Sequence, residues 1–320
     1  MAPPLLRAVA PTPFVTIQDG GRRGWRRFGL SVAGAMDRTS LAIANWLVGN
    51  RPGEAALEFA YAGGDWIVEA PSCRIGVAGG AFNVSIDGAA LPPFSSAVVR
   101  NGQQLRIGGS TSGVWGYLAI AGGFDIPMQF GSRATHQRTG IGGIAGSAIS
   151  AGEAVPLRAA QAPNEPERFT ESPAEENGPF RVVLGPQQDY FDDESIARFL
   201  SDEYSVTWQQ DRMAYRLDGP SLRHQKGYNI ISEGVVPGCI QVPGTGFPLV
   251  LMRDCPTVGG YPKVATIVEG DLERLAQRRP GTRMRFQAIS VMEAHAVRQR
   301  HLARLALIAE EPAGPWPERG

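Results

Sequence analysis

The chain has 320 residues, 43% hydrophobic and 19% charged, and its 31 basic residues balance 31 acidic ones. That length predicts two domains, the charged fraction excludes a largely disordered chain, and zero net charge excludes the basic footprint of a nucleic-acid or anionic-membrane binder. The three cysteines, Cys73, Cys239 and Cys255, form no CxxC pair, which argues against a disulfide framework or zinc knuckle and fits a reducing compartment.

The N-terminus lacks an apolar core of signal-peptide length, and no stretch approaches the ~18 apolar residues of a membrane span, so a cytoplasmic protein is expected. Forty glycines and 25 prolines cut the chain into short segments. The first strong helix signal follows Asp37 as N-cap, carries Ser40, Leu41, Ala44, Leu47 and Val48 inward, and stops at Gly49. Strands are predicted at 74–78, 83–87, 97–100, 104–107 and 115–120, parted by Asp87-Gly88, Pro92-Pro93, Asn101-Gly102 and Gly122-Gly123. Such spacing predicts a barrel or sandwich.

Residues 161–178, with three prolines and five glutamates, read as a solvated linker. Strand-like sequence resumes at 180–185 and continues to 284–286. Further helices are expected from Asp192, over 270–279, and from a Ser290/Glu293 capping box toward Ala309. The last is arginine-rich and weakly amphipathic, which predicts a surface or partner-facing helix with His295 and His301 solvated. The expected organisation is a mainly β chain with a few helices: a β-barrel over 1–160, a linker over 161–179, a second β-barrel over 180–290, and a C-terminal helix and tail over 291–320.

Lysine is rare. Only Lys226 and Lys263 accompany 29 arginines, so lysine marks a place where a compact ammonium with an adjustable pKa is wanted. Lys263 closes Asp254-Cys255-Pro256-Thr257-Val258-Gly259-Gly260-Tyr261-Pro262-Lys263, behind a Gly-Gly turn and a proline, with an acid nine positions upstream. Neither lysine precedes Ser or Thr, which excludes a Walker A loop. HExxH, GxSxG and a dinucleotide-binding glycine fingerprint after a strand are also absent, and no metal site is expected.

Polar, glycine-punctuated clusters remain: Gln18-Asp19-Gly20-Gly21-Arg22, Gly34-Ala35-Met36-Asp37, Gly131-Ser132-Arg133, Gly185-Pro186-Gln187, Asp211-Arg212-Met213, Ser232-Glu233-Gly234 and Gln241-Val242-Pro243. Glycine beside Arg, Asp and Gln lets backbone amides and charged forks converge on a small anion. The candidate catalytic groups are Lys263, Asp254, Arg212 and Tyr261. The candidate substrate- or cofactor-binding groups are Gln18, Asp19, Arg22, Met36, Asp37, Arg133, Gln187, Asp211, Gln241, Gly259 and Gly260.

These clusters, in this order from about Leu5 to Arg304, resemble the allophanate hydrolase subunit 2 or biotin-dependent carboxyltransferase family, which includes the 5-oxoprolinase C subunit, as well as the antagonist of a sporulation-kinase inhibitor. The resemblance implies two cyclophilin-like β-barrels. It departs from the family pattern at Ala134, Ala214 and Pro256-Thr257-Val258, where a serine, a glycine and Gln-Thr-Thr are usual. One implied activity is ATP-dependent opening of 5-oxoproline with a B-like (subunit 1-type) partner and an A-like partner. Arg133, Arg212 and Lys263 would then face a phosphorylated intermediate, with ATP held here or on a partner. A second is the carboxyltransferase step of a urea carboxylase, with Lys263 facing the oxyanion of biotin. A third is a non-catalytic regulatory binding protein.

Overall fold

The computed structural model describes residues 3–158 and 178–310. The expected linker therefore lies, except for its last two residues, outside the described residues. Of the described residues, 3–22, 33–158 and 304–310 make one compact unit, and 23–32 with 178–303 make the other. Segment 23–32 groups with the second unit because its polar groups bond there. Arg26 donates to the carbonyls of Val235 and Pro256, and the Ser31 hydroxyl to that of Cys255.

The first unit is built on two antiparallel sheets. Six strands, Ala154–Pro156, Leu5–Pro11, Gly64–Glu69, Gln104–Ser110, Phe82–Ile86 and Ala89–Leu91, pair in that order. Five more, Thr16–Gln18, Ala56–Ala60, Trp115–Ile120, Ser72–Gly79 and Ser95–Arg100, form the second sheet. Ala89–Leu91 and Ser95–Arg100 are edge strands that follow one another in the chain, so the sheets join at that corner. Their inner faces share one core, with Leu6, Trp66, Val68 and Leu105 from the first sheet and Leu57, Phe59, Ile75 and Leu118 from the second.

Helix α1 (Arg38–Trp46) covers the outer face of the five-stranded sheet. That is why Trp115–Ile120 is buried along its whole length, core on one side and helix on the other. Asp37 is its N-cap as expected, its side chain accepting from Ser40 N at 3.0 Å.

In the second unit eight strands form one sheet. The edge strands, Arg283–Met284 and Phe286–Ala288, are separated by Arg285 alone, so the sheet curls until its two edges nearly meet. Helix α2 (Asp193–Ser201) packs its Phe199 ring on Phe286 at 4.7 Å, with Tyr204 beside both. Helix α3 (Glu269–Ala276) is fixed by the fully buried Asp271, which accepts from Arg181 Nη2 at 2.6 Å and Arg274 Nη1 at 2.9 Å. Helix α4 (Val291–Glu310) starts at the expected capping box, Ser290 N to Glu293 at 2.8 Å and Glu293 N to Ser290 Oγ at 3.2 Å.

One expectation for α4 fails. Ala294 and Val297 pack with Val268, and His301 lies 3.3 Å from Glu273 with its side chain 11% exposed, so His301 is an inward-facing partner of α3 and not a solvated residue. Both units are mainly β with flanking helices, as cyclophilin-like barrels require.

Candidate active site

Lys263 opens the strand Lys263–Ile267, which is hydrogen-bonded between Cys239–Gln241 and Phe180–Leu184 and is buried at four of its five positions. A lysine at the mouth of such a strand buries its stem and carries its ammonium to the rim. The Lys263 side chain is only 6% exposed. The chain leaving Phe180–Leu184 crosses directly over this point. Gly185 N donates to Val264 O at 2.8 Å, and a Cβ at Gly185 would lie 2.2 Å from Lys263 O, so only glycine permits the crossing.

That crossing delivers Gln187. Its Oε1 accepts from Lys263 N at 3.3 Å, and its Nε2 donates to Glu233 Oε1 at 2.7 Å. Glu233 in turn accepts a hydrogen bond from the Lys263 ammonium. The acid that answers Lys263 is therefore Glu233, thirty positions upstream, and not Asp254; among the described residues no hydrogen bond joins Asp254 to Lys263. Principally through the bond from Lys263, the Glu233 carboxyl is held below the usual glutamate range.

Glu233 rides on a separate two-stranded ribbon, Glu233–Gly234 against Val258–Gly259. Val235 N extends the pairing to Thr257 O at 3.1 Å, and Arg26 ties the ribbon's base by donating to Val235 O and Pro256 O. Gln241, opposite Lys263 at a register shift, donates to Tyr261 O at 3.2 Å. A Cβ on Gly259 would meet Gln241 Nε2 at 2.5 Å, so glycine there lets the ribbon lie against the sheet. Gly260 accepts from Ile230 N at 2.9 Å, and the Tyr261 side chain is partly exposed beside it.

Arg212 and Asp254 form a bidentate pair, Nε to Oδ2 at 2.9 Å and Nη2 to Oδ1 at 2.8 Å, with side chains 11% and 10% exposed. A backbone bond, Asp254 N to Arg212 O at 2.8 Å, doubles the tie. The pair anchors the start of the Asp254–Lys263 run. Asp211 caps its own turn, accepting from Met213 N at 2.7 Å and Ala214 N at 3.0 Å.

The other candidate residues fall in the first unit, where they stitch turns together. The buried Asp19 carboxylate accepts from Gly21 N at 2.8 Å, Ser132 Oγ at 2.7 Å and Arg133 N at 2.6 Å. Burial pushes its pKa up, against the opposing effect of the Ser132 and Gly21 bonds and of Arg22. Gln18 donates to Thr16 Oγ1 and Thr135 O, both at 3.0 Å. Arg22 donates to Ala134 O, and Arg133 to Ile126 O at 2.6 Å and Glu54 at 3.3 Å. Met36 N and Asp37 N bind Glu58 Oε2 and Tyr117 OH, each at 2.8 Å, and Tyr117 OH donates to the same Glu58 oxygen at 2.7 Å. Burial first, then the Glu58 charge, raises the Tyr117 pKa, so this phenol stays a donor.

Glu233, Ser132, Glu58 and Tyr117 stand outside the residues expected from sequence. Glu233 and Ser132 lie inside clusters visible there, but their partners are distant in the chain. Among the described residues, no group of three or more His, Cys, Asp or Glu is placed to hold a metal ion, and no helix is long and apolar enough to cross a membrane. The second unit thus presents one buried ammonium, faced by a carboxylate and flanked by Gln187, Gln241 and the Gly259-Gly260-Tyr261 turn. Such a group can bind an oxyanion or stabilise one as it forms.

Residues 28–288 match the carboxyltransferase domain, subdomains A and B, and the chain belongs to that family. It is 34% identical over 296 residues to the 5-oxoprolinase C subunit of Escherichia coli (strain K12), covering 92% of this chain and 94% of that one. Among solved structures, the Kluyveromyces lactis urea carboxylase superposes with a TM-score of 0.87 at 25% identity, over 100% of this chain but 30% of that one. TTHA0988 superposes with a TM-score of 0.81 at 33% identity, over 89% of this chain; the match spans 57% of that chain.

Proposed function

We propose that this chain is the C subunit of an ATP-dependent 5-oxoprolinase, opening a cyclic amide together with B-like and A-like partners in the cytoplasm. The observation that carries this reading is end-to-end similarity to the Escherichia coli protein, 94% of whose length is matched. In this reading Lys263 stabilises negative charge that develops on the substrate, Gln187 and Gln241 set the walls around it, and the Arg212–Asp254 pair is a positioning device. One ammonium suits one carboxylate or phosphoryl oxygen. In this reading the phosphates of ATP sit on a partner, and Arg212 and Arg253, paired with Asp254 and Glu273, serve the fold of this unit.

The test is coexpression with both partners and measurement of ATP-coupled 5-oxoproline hydrolysis. Activity in the three-component preparation, absent when this chain is omitted, is expected; activity independent of this chain overturns the reading. A second reading is the carboxyltransferase step of a biotin-dependent urea carboxylase, supported by the superposition on the Kluyveromyces lactis enzyme. There biotin supplies the carboxyl carrier, and Lys263 would meet its oxyanion. Carboxyl transfer from carboxybiotin to urea, dependent on this chain, would favour it.

A further inference from the structure

Glu233 is an unusual counter-ion. Its side chain is 44% exposed while that of the lysine it contacts is 6% exposed, so the carboxylate reaches a buried lysine from the solvent side. It does not come from the barrel that holds Lys263, but from the two-stranded ribbon outside the eight-stranded sheet. A second hydrogen bond fixes it there: Gln187 Nε2 donates to the same oxygen, Oε1, at 2.7 Å. The arrangement of ammonium and amide around one carboxylate oxygen is a complete small oxyanion site, already filled by a residue of the chain itself.

We propose that Glu233 is a resident competitor for an anionic ligand: a substrate carboxylate or phosphoryl group takes the Lys263 and Gln187 donors only when Glu233 gives them up. Glu233 then determines specificity, because an uncharged ligand gains nothing from displacing it. This inference rests on the reading of Lys263 as the group that meets the ligand's negative charge. If Glu233 holds the donors in nine molecules of ten, apparent anion affinity is weakened about tenfold, the reciprocal of the competent fraction.

The experiment is calorimetric titration of the full chain and of Glu233→Gln with three probes: 5-oxoproline for a carboxylate, inorganic phosphate for a phosphoryl group, and 2-pyrrolidone for the uncharged ring. Binding of one of the two anions should tighten about tenfold in Glu233→Gln, with 2-pyrrolidone unchanged; which anion responds identifies the ligand class. Glu233→Ala, at a half-exposed position where truncation leaves no cavity, serves as the second variant and should give the same direction. Unchanged or weaker anion binding in both variants overturns the proposal, as does equal tightening for 2-pyrrolidone. Adding Lys263→Ala to Glu233→Gln should abolish the gain. If the gain persists without Lys263, the reading of Lys263 itself fails; if the gain never arises while Lys263→Ala still impairs the assembled enzyme, only the competitor idea fails.

Discussion

Lys263 illustrates how a single position can be informative before its surroundings are known. In a chain with 29 arginines and two lysines, its rarity and its place behind Gly-Gly-Tyr-Pro single it out. The fold buries its stem in a central strand and leaves the ammonium facing Glu233. Replacing it with alanine should cut the activity of the assembled enzyme about a hundredfold or more, as loss of one oxyanion donor does. Lys263→Arg should restore little, because a planar fork does not fit where Gln187 and Glu233 converge on a point charge. Parallel thermal melts separate chemistry from folding; near-full activity in the arginine variant would make the lysine a mere charge. The acid opposite it was not legible. Asp254 is the nearer carboxylate in sequence, but its bidentate bond to Arg212 commits it elsewhere, and the pairing of Lys263 with residue 233 depends on a ribbon that no local pattern announces. The first-unit clusters read as anion cradles for a related reason. Glycine next to Asp and Arg has the same local signature whether the charges meet a ligand or, as with Asp19, Arg22 and Arg133, meet the protein's own amides and carbonyls.

Helix starts were legible because capping is local. Asp37, Asp192 and Ser290 all cap as their sequences predict, each within a few residues of the amide it binds. What holds a helix to its sheet is less visible. Asp271 on α3 accepts from the backbone and side chain of Arg181 and from Arg274, and this set links the helix to the strand Phe180–Leu184. Burial alone would raise the Asp271 pKa, but the Arg181 bonds and the Arg274 charge together bring it below the ordinary aspartate range. A carboxylate depressed in the folded state contributes stability that is complete above its unfolded value and is lost as pH falls through its folded value. Thermal stability of the wild type should therefore fall on acidification below about pH 4, the ordinary aspartate value. Asp271→Asn should cost about 3–5 kcal/mol at neutral pH, the usual penalty for breaking a buried pair, and should flatten that acid limb in melts followed by circular dichroism. An unchanged acid limb in the variant would remove Asp271 from the account. Similar reasoning applies to two buried thiols: Cys73 is pushed up to about 12 and Cys255 to about 11, in both cases chiefly by burial. Neither should react with a thiol reagent in the native protein at neutral pH, while both should react after unfolding.

On the scale of the whole molecule, the barrels were legible and their chemistry only in outline. Short strands punctuated by glycine and proline give a mainly β fold, and both units have it; strand order does not follow from such a pattern, because it is set by pairings far apart in the chain. The candidate site contains an ammonium, a carboxylate that neutralises it, two amides and a tyrosine. What it does not combine, among the described residues, is a nucleophile with an adjacent base and a phosphate-binding loop. A donor site of this kind can stabilise charge but cannot by itself generate the phosphorylated or carboxylated species that carries it. Purified alone, the chain should therefore turn over neither 5-oxoproline with ATP nor carboxybiotin at a rate above background, and adding the B-like and A-like partners should restore the former. Omitting one component at a time, while following ADP and glutamate release together, distinguishes a catalytic contribution from a structural one. If this chain is needed only for assembly, Lys263→Ala will leave the rate of the assembled enzyme unchanged; if it supplies the oxyanion donor, the complex will form normally and the rate will fall. Robust turnover by the single chain would show that the site is complete without partners, and the division of labour argued from its side chains would be wrong.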